Sequence, residues 1–288
     1  MNDRILLGGD LPVARIGYGA MRLADGPERP ADPAAAAIWR PPADRDGAIA
    51  LLRHAADAGV TLFDTADAYA LGGGEELIAE ALHPYRDEVA VATKIGVLRP
   101  SPTEWVPLGH PAYLRQQAEL SLRRLRVERI DLLQLHRVDP AYPLADQVGA
   151  LKQLQDEGKV RHIGLSEVTV EELQEAEKTA PIASVQNVYN LVTRQHERVV
   201  DHAAANGLVF LPYFPIAMGA HNDEIAAVAA EAGATPAQVA LAWLLRRSPA
   251  IVPIPGTTSI AHLDQNLAAT GVRLTDEQFA RLSALEGE

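Results

Sequence analysis

The sequence predicts an α/β fold, a closed (β/α)8 TIM barrel with an N-terminal β-hairpin, and three observations predict it. Eight short apolar runs alternate with helix-length segments from about residue 12 to the end. Those segments carry apolar residues at helical spacing. Asp64, Lys94 and His136 each close one of the runs, and the carboxyl-terminal ends of strands are where such barrels keep their chemistry. Strands that alternate with helices imply a parallel sheet, and eight of them favour closure over an open sheet.

The elements follow in order. Ile5-Leu6-Leu7 and Leu11-Pro12-Val13 flank Gly8-Gly9-Asp10, a turn signal that places a hairpin ahead of the main fold. Strands are expected at Ala14-Arg15-Ile16, at Val60-Thr61-Leu62-Phe63, at Val89-Ala90-Val91-Ala92-Thr93 and at Asp131-Leu132-Leu133-Gln134-Leu135. Four more are expected at Ile163-Gly164-Leu165, Ala183-Ser184-Val185, Leu208-Val209-Phe210-Leu211 and Ile251-Val252. Pro253 ends or disturbs the last, because proline donates nothing to a ladder. Among the helices, Leu114, Ala118, Leu122 and Leu125 form one stripe, and Leu144, Val148, Leu151 and Leu154 another. Ala226, Ala229 and Ala230 mark an alanine-rich helix. Thr235 caps the next helix, with Pro236 at its first position and Val239, Trp243 and Leu244 within it. No composition shift divides the chain, so residues 1–288 read as a single barrel domain. Two proline-rich stretches without element signals are candidate substrate loops: residues 25–43, with Pro27, Pro30, Pro33, Pro41 and Pro42, and residues 97–111, with Pro100, Pro102, Pro107 and Pro111.

Composition excludes several function classes. The 288 residues are 48% hydrophobic, enough for one large core. A formal charge of −12 and a pI near 5.2 argue against nucleic-acid or anionic-membrane partners. No apolar run is long enough to span a membrane, and the N-terminus Met1-Asn2-Asp3-Arg4-Ile5 lacks the apolar core of a secretory signal. There are no cysteines, which removes disulfides, thiol catalysis and thiolate metal sites together. Histidines do not cluster at metal spacing, so no metal site is expected. The plain expectation is a cytoplasmic enzyme for a small molecule, with monomer as the simplest state.

If the strands are parallel neighbours, Asp64, Lys94 and His136 converge, and Tyr69 joins them from the loop five residues beyond Asp64. A free phenol has a pKa of about 10, and a nearby cation lowers it by roughly 1–3 units. Lys94 would supply that charge and Asp64 would keep it protonated. His136 would hydrogen-bond a substrate carbonyl, and Tyr69 would give its oxygen a proton. Singly, each residue has an ordinary structural role as cap, loop packing or ion pair; it is their convergence that points to chemistry. Gly17-Tyr18-Gly19 begins like a dinucleotide fingerprint, but Arg22 occupies the third glycine's place, which argues against a Rossmann site. Gly72-Gly73-Gly74 before Glu75-Glu76 reads as a loop entering a helix whose first turn favours acids.

Taken together, several stretches give an almost end-to-end resemblance to the aldo-keto reductases. They are Gly17-Tyr18-Gly19-Ala20-Met21, Phe63-Asp64-Thr65-Ala66-Asp67-Ala68-Tyr69, Thr93-Lys94, Leu133-Gln134-Leu135-His136, Ile163-Gly164-Leu165-Ser166, Val185-Gln186-Asn187 and Pro253-Ile254-Pro255-Gly256-Thr257. The resemblance implies a barrel that binds an extended nicotinamide cofactor, NADP(H) in preference to NAD(H), across its mouth, near Gly19, Ala20, Met21 and Asp64. It implies that Asp64, Tyr69, Lys94 and His136 form a catalytic tetrad. By the same resemblance Ser166 and Gln186 hold the carboxamide, Tyr213 stacks on the nicotinamide ring, and Phe214, Pro215 and Ile216 cradle the pyrophosphate. Gly256, Thr257, Thr258, His262, Gln265 and Asn266 then receive the adenosine and any 2′-phosphate.

Two departures stand out. Glu167 occupies a position that is commonly Asn in the family, and a carboxylate can accept from an amide but not donate to it. Between Arg247 and Arg273 there is no lysine or arginine to grip a 2′-phosphate, only His262. Within the family, Pro212-Tyr213-Phe214-Pro215, Ala240-Leu241-Ala242-Trp243-Leu244-Leu245 and Ile254-Pro255-Gly256-Thr257 resemble bacterial members that include pyridoxal reductases. Arg137, Trp39 and Trp105 join Tyr69 and His136 as candidate substrate contacts. The resemblance leaves a second class open, a nicotinamide-binding redox sensor with little turnover.

Overall fold

In a computed structural model of the chain, residues 4–24, 38–216 and 222–285 are described. Strands β1 (Arg4–Leu7) and β2 (Leu11–Ala14) pair antiparallel across the Gly8-Gly9-Asp10 turn, as the turn signal predicts. Parallel strands β3 (Tyr18–Gly19), β4 (Leu62–Asp64) and β5 (Ala90–Ile95) follow. Next come a short antiparallel pair, β6 (Val97–Leu98) with β7 (Val106–Pro107), and the parallel strands β8 (Ile130–Leu135), β9 (Val160–Ser166), β10 (Ile182–Gln186) and β11 (Val209–Phe210). One seven-stranded parallel sheet results, in the order β11-β10-β9-β8-β5-β4-β3.

Helices α1 (Arg45–Asp57), α2 (Gly73–Leu82), α3 (Pro111–Leu125), α4 (Leu144–Asp156), α5 (Val170–Glu177) and α6 (Glu197–Asn206) lie between the strands in sequence. Helices α7 (Asn222–Glu231), α8 (Pro236–Arg247), α9 (Ile260–Ala268) and α10 (Asp276–Ser283) follow. The α3 stripe is fully buried, Thr235 caps α8, and its Oγ1 and the Gln238 side chain complete a capping box. In α7 the buried residues are Ile225, Val228 and Ala229, while Ala226 and Ala230 face solvent. The larger side chains took the core, and alanine count alone did not identify the buried face.

Strand alternation creates two faces with different jobs. Phe63, Val91, Ile95, Leu133 and Leu135 pack outward with Leu114, Leu122, Leu151 and Trp243 of the helices. Leu62, Ala90, Ala92, Leu132 and Val209 point to the other face, where Leu7, Leu11 and Val13 of the hairpin pack against them. Continuing the period of two, Asp64, Lys94 and Gln134 lie on that inner face beyond the apolar layer, with Lys94 directly opposite Gln134. A polar layer therefore crowns an apolar one.

Three expectations need correction. Ala14-Arg15-Ile16 is not the first sheet strand; Tyr18–Gly19 is. The hairpin register consumes Ala14, and Arg15 turns its guanidinium onto the carbonyls of Leu245, Ser248 and Ile251. Residues 97–111 are not without structure, since β6 and β7 pair there, but two-residue strands leave no periodic signal. Finally, Ile251-Val252 is not a regular strand. Ile251 makes a single bridge to Phe210, and prolines 253 and 255 offer only carbonyls. The segment is nevertheless bonded on both sides. Val252 N donates to Phe210 O (2.8 Å), while Gly17 N and Gly19 N donate to Pro253 O (2.9 Å) and Pro255 O (3.3 Å). The approach demands glycine: a Cβ on Gly19 would lie 2.6 Å from Ile254 O. Of the expected loop 25–43, residues 25–37 lie outside the described residues. No single helix among the described residues is long and apolar enough to cross a membrane.

Candidate active site

Asp64 ends β4, Lys94 lies near the end of β5, and His136 follows β8 directly. Tyr69 opens a 3-10 turn whose next residues, Ala70 and Leu71, adopt left-handed backbone angles of φ 49° and 53°. All four are buried, with exposures of 3%, 1%, 5% and 6% for Asp64, Lys94, His136 and Tyr69. Lys94 Nζ donates to Asp64 Oδ1 (2.6 Å) and to Thr65 O (2.8 Å), and it lies 5.2 Å from the centre of the Tyr69 ring. The second Asp64 oxygen accepts from Gln186 Nε2 (2.8 Å) and Gln134 Nε2 (3.3 Å). The Tyr69 and His136 rings meet edge-on, 6.0 Å apart.

Electrostatics separate the roles these groups can play. Burial alone would strip Lys94 of its proton, but the Asp64 charge and the Tyr69 oxygen outweigh it, so its pKa is raised and the ammonium persists. His136 is driven well below the usual imidazole range by burial and by Arg137, Lys94 and Arg99, so it is neutral at pH 7. Its buried Nδ1 has no hydrogen-bond partner among the described residues. Tyr69 differs from the sequence argument. Burial raises its pKa, the Lys94 charge lowers it, Asp64 raises it again, and the net shift is upward. The cation tempers the phenol without making it more acidic than in water, because both groups share a desolvated site. Tyr69 therefore holds its proton.

Asp64, Tyr69 and His136 border a cavity of about 640 Å3, within the roughly 300–1,000 Å3 usual for small-molecule sites, while Lys94 lies behind them and is not a lining residue. Of the residues the sequence pointed to, Gly19, Met21, Asp64, Tyr69, Trp105, His136, Arg137, Ser166, Gln186, Tyr213, Phe214, Pro215, Ile216 and Gly256 line it. Ala20 is buried between the lining residues Gly19 and Met21, and Glu167 is not a lining residue; its Oε1 accepts from Val188 N (2.7 Å). Thr257, Thr258, His262, Gln265 and Asn266 are not lining residues. Thr257 Oγ1 accepts from Ser259 N (3.1 Å) at the start of α9, Asn266 is buried within that helix, and Thr258, His262 and Gln265 are exposed. Trp39 also falls outside the lining, 5.5 Å from the Arg99 guanidinium.

Sequence reasoning passed over two arginines. Arg22, noted only as the residue that spoils a glycine fingerprint, lines the cavity beside Gly256. Arg99 is 7% exposed, stacks 3.6 Å from the centre of the Trp105 ring, and donates to the carbonyls of Ala68, Pro102 and Glu104. Only the three-dimensional packing reveals it, since backbone carbonyls as hydrogen-bond acceptors leave no mark in the sequence. Among the described residues, no group of three or more His, Asp and Glu could hold a metal ion.

A polar crown over an apolar strand layer, opening into such a cavity, defines a small-molecule site at the carboxyl-terminal end of a parallel sheet. The chain belongs to the aldo/keto reductase family, whose model matches residues 15–286. It is 40% identical over 288 residues to the pyridoxine 4-dehydrogenase of Escherichia coli, covering 97% of both chains. It is 42% identical to an uncharacterised oxidoreductase of Schizosaccharomyces pombe, over 95% of this chain and 87% of that one. Among solved structures it resembles an aldo/keto reductase from Klebsiella pneumoniae in complex with NADP and acetate. There the identity is 31%, the TM-score 0.81, and the match covers 98% of this chain and 94% of the other.

Proposed function

We propose that the protein is an NADP(H)-dependent reductase of aldehydes or ketones, with Tyr69 as general acid and pyridoxal among its substrates. The observation that carries this reading is the buried Lys94–Asp64 pair set against the Tyr69 ring, with neutral His136 alongside. The sheet is read as a (β/α)8 barrel in a single domain, its eighth side supplied by residues 251–255, which bond to both neighbouring elements.

The cavity fits a nicotinamide. A carboxamide needs one donor and one acceptor, and the Ser166 hydroxyl with the Gln186 amide supplies both on one wall, while the Tyr213 ring offers a flat apolar surface. Asp64 steadies Gln186 from behind through the 2.8 Å bond. Arg22, beside Gly256, would meet the anionic part of the cofactor, in place of the cations that the segment around His262 lacks. When bound, NADPH supplies a hydride to the carbonyl carbon.

The chain's own residues manage the proton. Tyr69 is kept protonated by burial, so it enters the reaction with a proton to give. As charge grows on the substrate oxygen, the Lys94 ammonium stabilises the phenolate that donation leaves behind. His136, neutral and buried, orients the carbonyl without competing for that proton. Acid assistance of this kind contributes roughly 10²–10⁴-fold. Trp105, edge-on to both Tyr69 and His136, offers a face to a planar substrate, and Arg137 offers a cation to its acceptor groups. The 40% identity to pyridoxine 4-dehydrogenase supports a pyridine aldehyde.

The test is NADPH consumption followed by absorbance against pyridoxal, aromatic and aliphatic aldehydes, ketones and sugars, repeated with NADH. Turnover of pyridoxal with a preference for NADPH is the expected result. Firm cofactor binding with no turnover across the panel would refute the reductase and point to a redox sensor.

A further inference from the structure

Residues 97–107 form one wall of the cavity from the β6–β7 ribbon, and its register decides what faces inward. Val97 pairs with Pro107 and Leu98 with Val106, so the next pair outward sets Arg99 opposite Trp105. Side chains alternate along a strand. Leu98 and Val106 are exposed, whereas Val97, Trp105 and Pro107 line the cavity. By the same alternation Arg99 falls on the inward face and is buried, yet it is not a lining residue. A guanidinium cannot shed its charge to suit burial, so it has to be satisfied where it lies.

Its partners come from separate segments. Nε donates to Glu104 O (3.0 Å) and Nη2 to Pro102 O (2.9 Å), both at the tip of the ribbon. Nη1 donates to Ala68 O (3.3 Å), the residue before Tyr69. Its Cζ lies 3.6 Å from the centre of the Trp105 ring, close enough to stack, and 5.5 Å from that of Trp39. A planar fork suits these demands together, because it donates in its plane while it stacks across its face. The ribbon and the Tyr69 loop are thereby joined through one side chain. Ala70 and Leu71 in that loop hold left-handed angles that their surroundings must maintain, and the Arg99 bond at Ala68 anchors the backbone just ahead of them.

The geometry points to Arg99 as a positioning residue for substrate: from behind the wall it holds the Trp105 ring edge-on to Tyr69 and His136, and it ties the ribbon to the loop that carries the phenol. The inference rests on the carbonyl-reductase reading of the cavity. The Trp105 ring centre lies 6.4 Å from that of Tyr69 and 6.1 Å from that of His136, so any tilt of the indole alters the space beside both groups. A ring free to tilt would have to be ordered each time a planar substrate binds, and stacking under the guanidinium removes that cost.

Two measurements on the full-length protein test it. With fluorotryptophan in place of tryptophan, the three indoles give separate fluorine resonances, and that of Trp105 is identified by its loss in Trp105→Phe. Arg99→Lys keeps the positive charge but lacks the fork and the flat face. It should move the Trp105 resonance toward that of a solvated indole and leave that of Trp243, buried in the core, in place. KM for a planar aromatic aldehyde is then measured under saturating NADPH in Arg99→Lys, Trp105→Ala and the double variant. Each single change should raise KM about tenfold, roughly 1.4 kcal/mol, and the double variant should raise it no further than either. NADPH affinity within about twofold of wild type shows the fold intact. An unmoved Trp105 resonance or an unchanged KM in Arg99→Lys would overturn the inference. So would losses that multiply to about a hundredfold, because Arg99 would then act independently of the indole. Arg99→Gln takes over both measurements if Arg99→Lys does not fold. If the wild type turns over no aldehyde, the reductase reading fails, while the resonance still reports whether Arg99 holds the ring.

Discussion

Replacing Asp64 with Asn removes the charge that keeps Lys94 an ammonium, and the structure sets the size of the effect. Both side chains are at most 4% exposed, and their contact is 2.6 Å. Removing one partner of a buried pair costs about 3–5 kcal/mol, because the other charge stays desolvated. An Asn amide also turns part of its surface toward Gln134 and Gln186, which were donating to a carboxylate. The pH dependence gives a sharper test, since the signs differ. In the wild type the Lys94 pKa is raised, so its contribution is fully present below the ordinary lysine value near 10.5 and is lost as pH rises beyond it. In Asp64→Asn burial dominates and the Lys94 pKa falls, so the variant should gain stability as pH rises toward 10.5. The assay is urea unfolding followed by circular dichroism at pH 7 and at intervals up to about 11, with Asp64→Asn/Lys94→Met expected to recover part of the loss. Unfolding free energies within about 1 kcal/mol of wild type at pH 7, with the same alkaline limb, would refute the ion-pair argument.

Other outcomes follow from the same geometry. His136 has a depressed pKa, so its contribution to stability is complete above the ordinary value of 6.5 and is lost as pH falls below it. His136→Asn should flatten that acid limb in unfolding experiments; an unchanged limb would mean the imidazole is not buried as described. Trp105→Ala removes the ring that Arg99 covers at 3.6 Å and that borders Tyr69 and His136. It should raise KM for planar aldehydes at least tenfold while cofactor affinity holds, a loss of about 1.4 kcal/mol; an equal loss for small aliphatic aldehydes would contradict a ring-stacking role. Arg22→Ala should weaken NADPH binding by about tenfold, read by fluorescence titration, as expected for one charge-assisted contact to a phosphate. Unaltered affinity would remove Arg22 from the cofactor site.

Much of the fold was legible because period-two alternation and helical stripes are local signals. The α3 stripe and the Thr235 cap lie where the sequence places them. What failed were elements defined by distant partners. The first sheet strand moved from Ala14-Arg15-Ile16 to Tyr18–Gly19, because Arg15 is drawn to carbonyls more than two hundred residues away. The eighth run became a bridge because its prolines can only accept. The meeting of Asp64, Tyr69, Lys94 and His136 was legible from strand-end positions, since the same period that buries Leu62, Ala92 and Leu132 carries Asp64, Lys94 and Gln134 to the inner face. The direction of the Tyr69 pKa shift was not, because it depends on how completely the site excludes water. Nor could the place of Arg99 be found, since the carbonyls it donates to leave no mark in the sequence.

The most direct test of proton donation by the phenol is Tyr69→Phe, which deletes one oxygen and keeps the ring against Trp105 and His136. Reduction of pyridoxal under saturating NADPH should slow by roughly 10²–10⁴-fold, with the dissociation constant for NADPH changed by less than about twofold, under 0.5 kcal/mol. Turnover at the wild-type rate would contradict the account, because another group would then be supplying the proton.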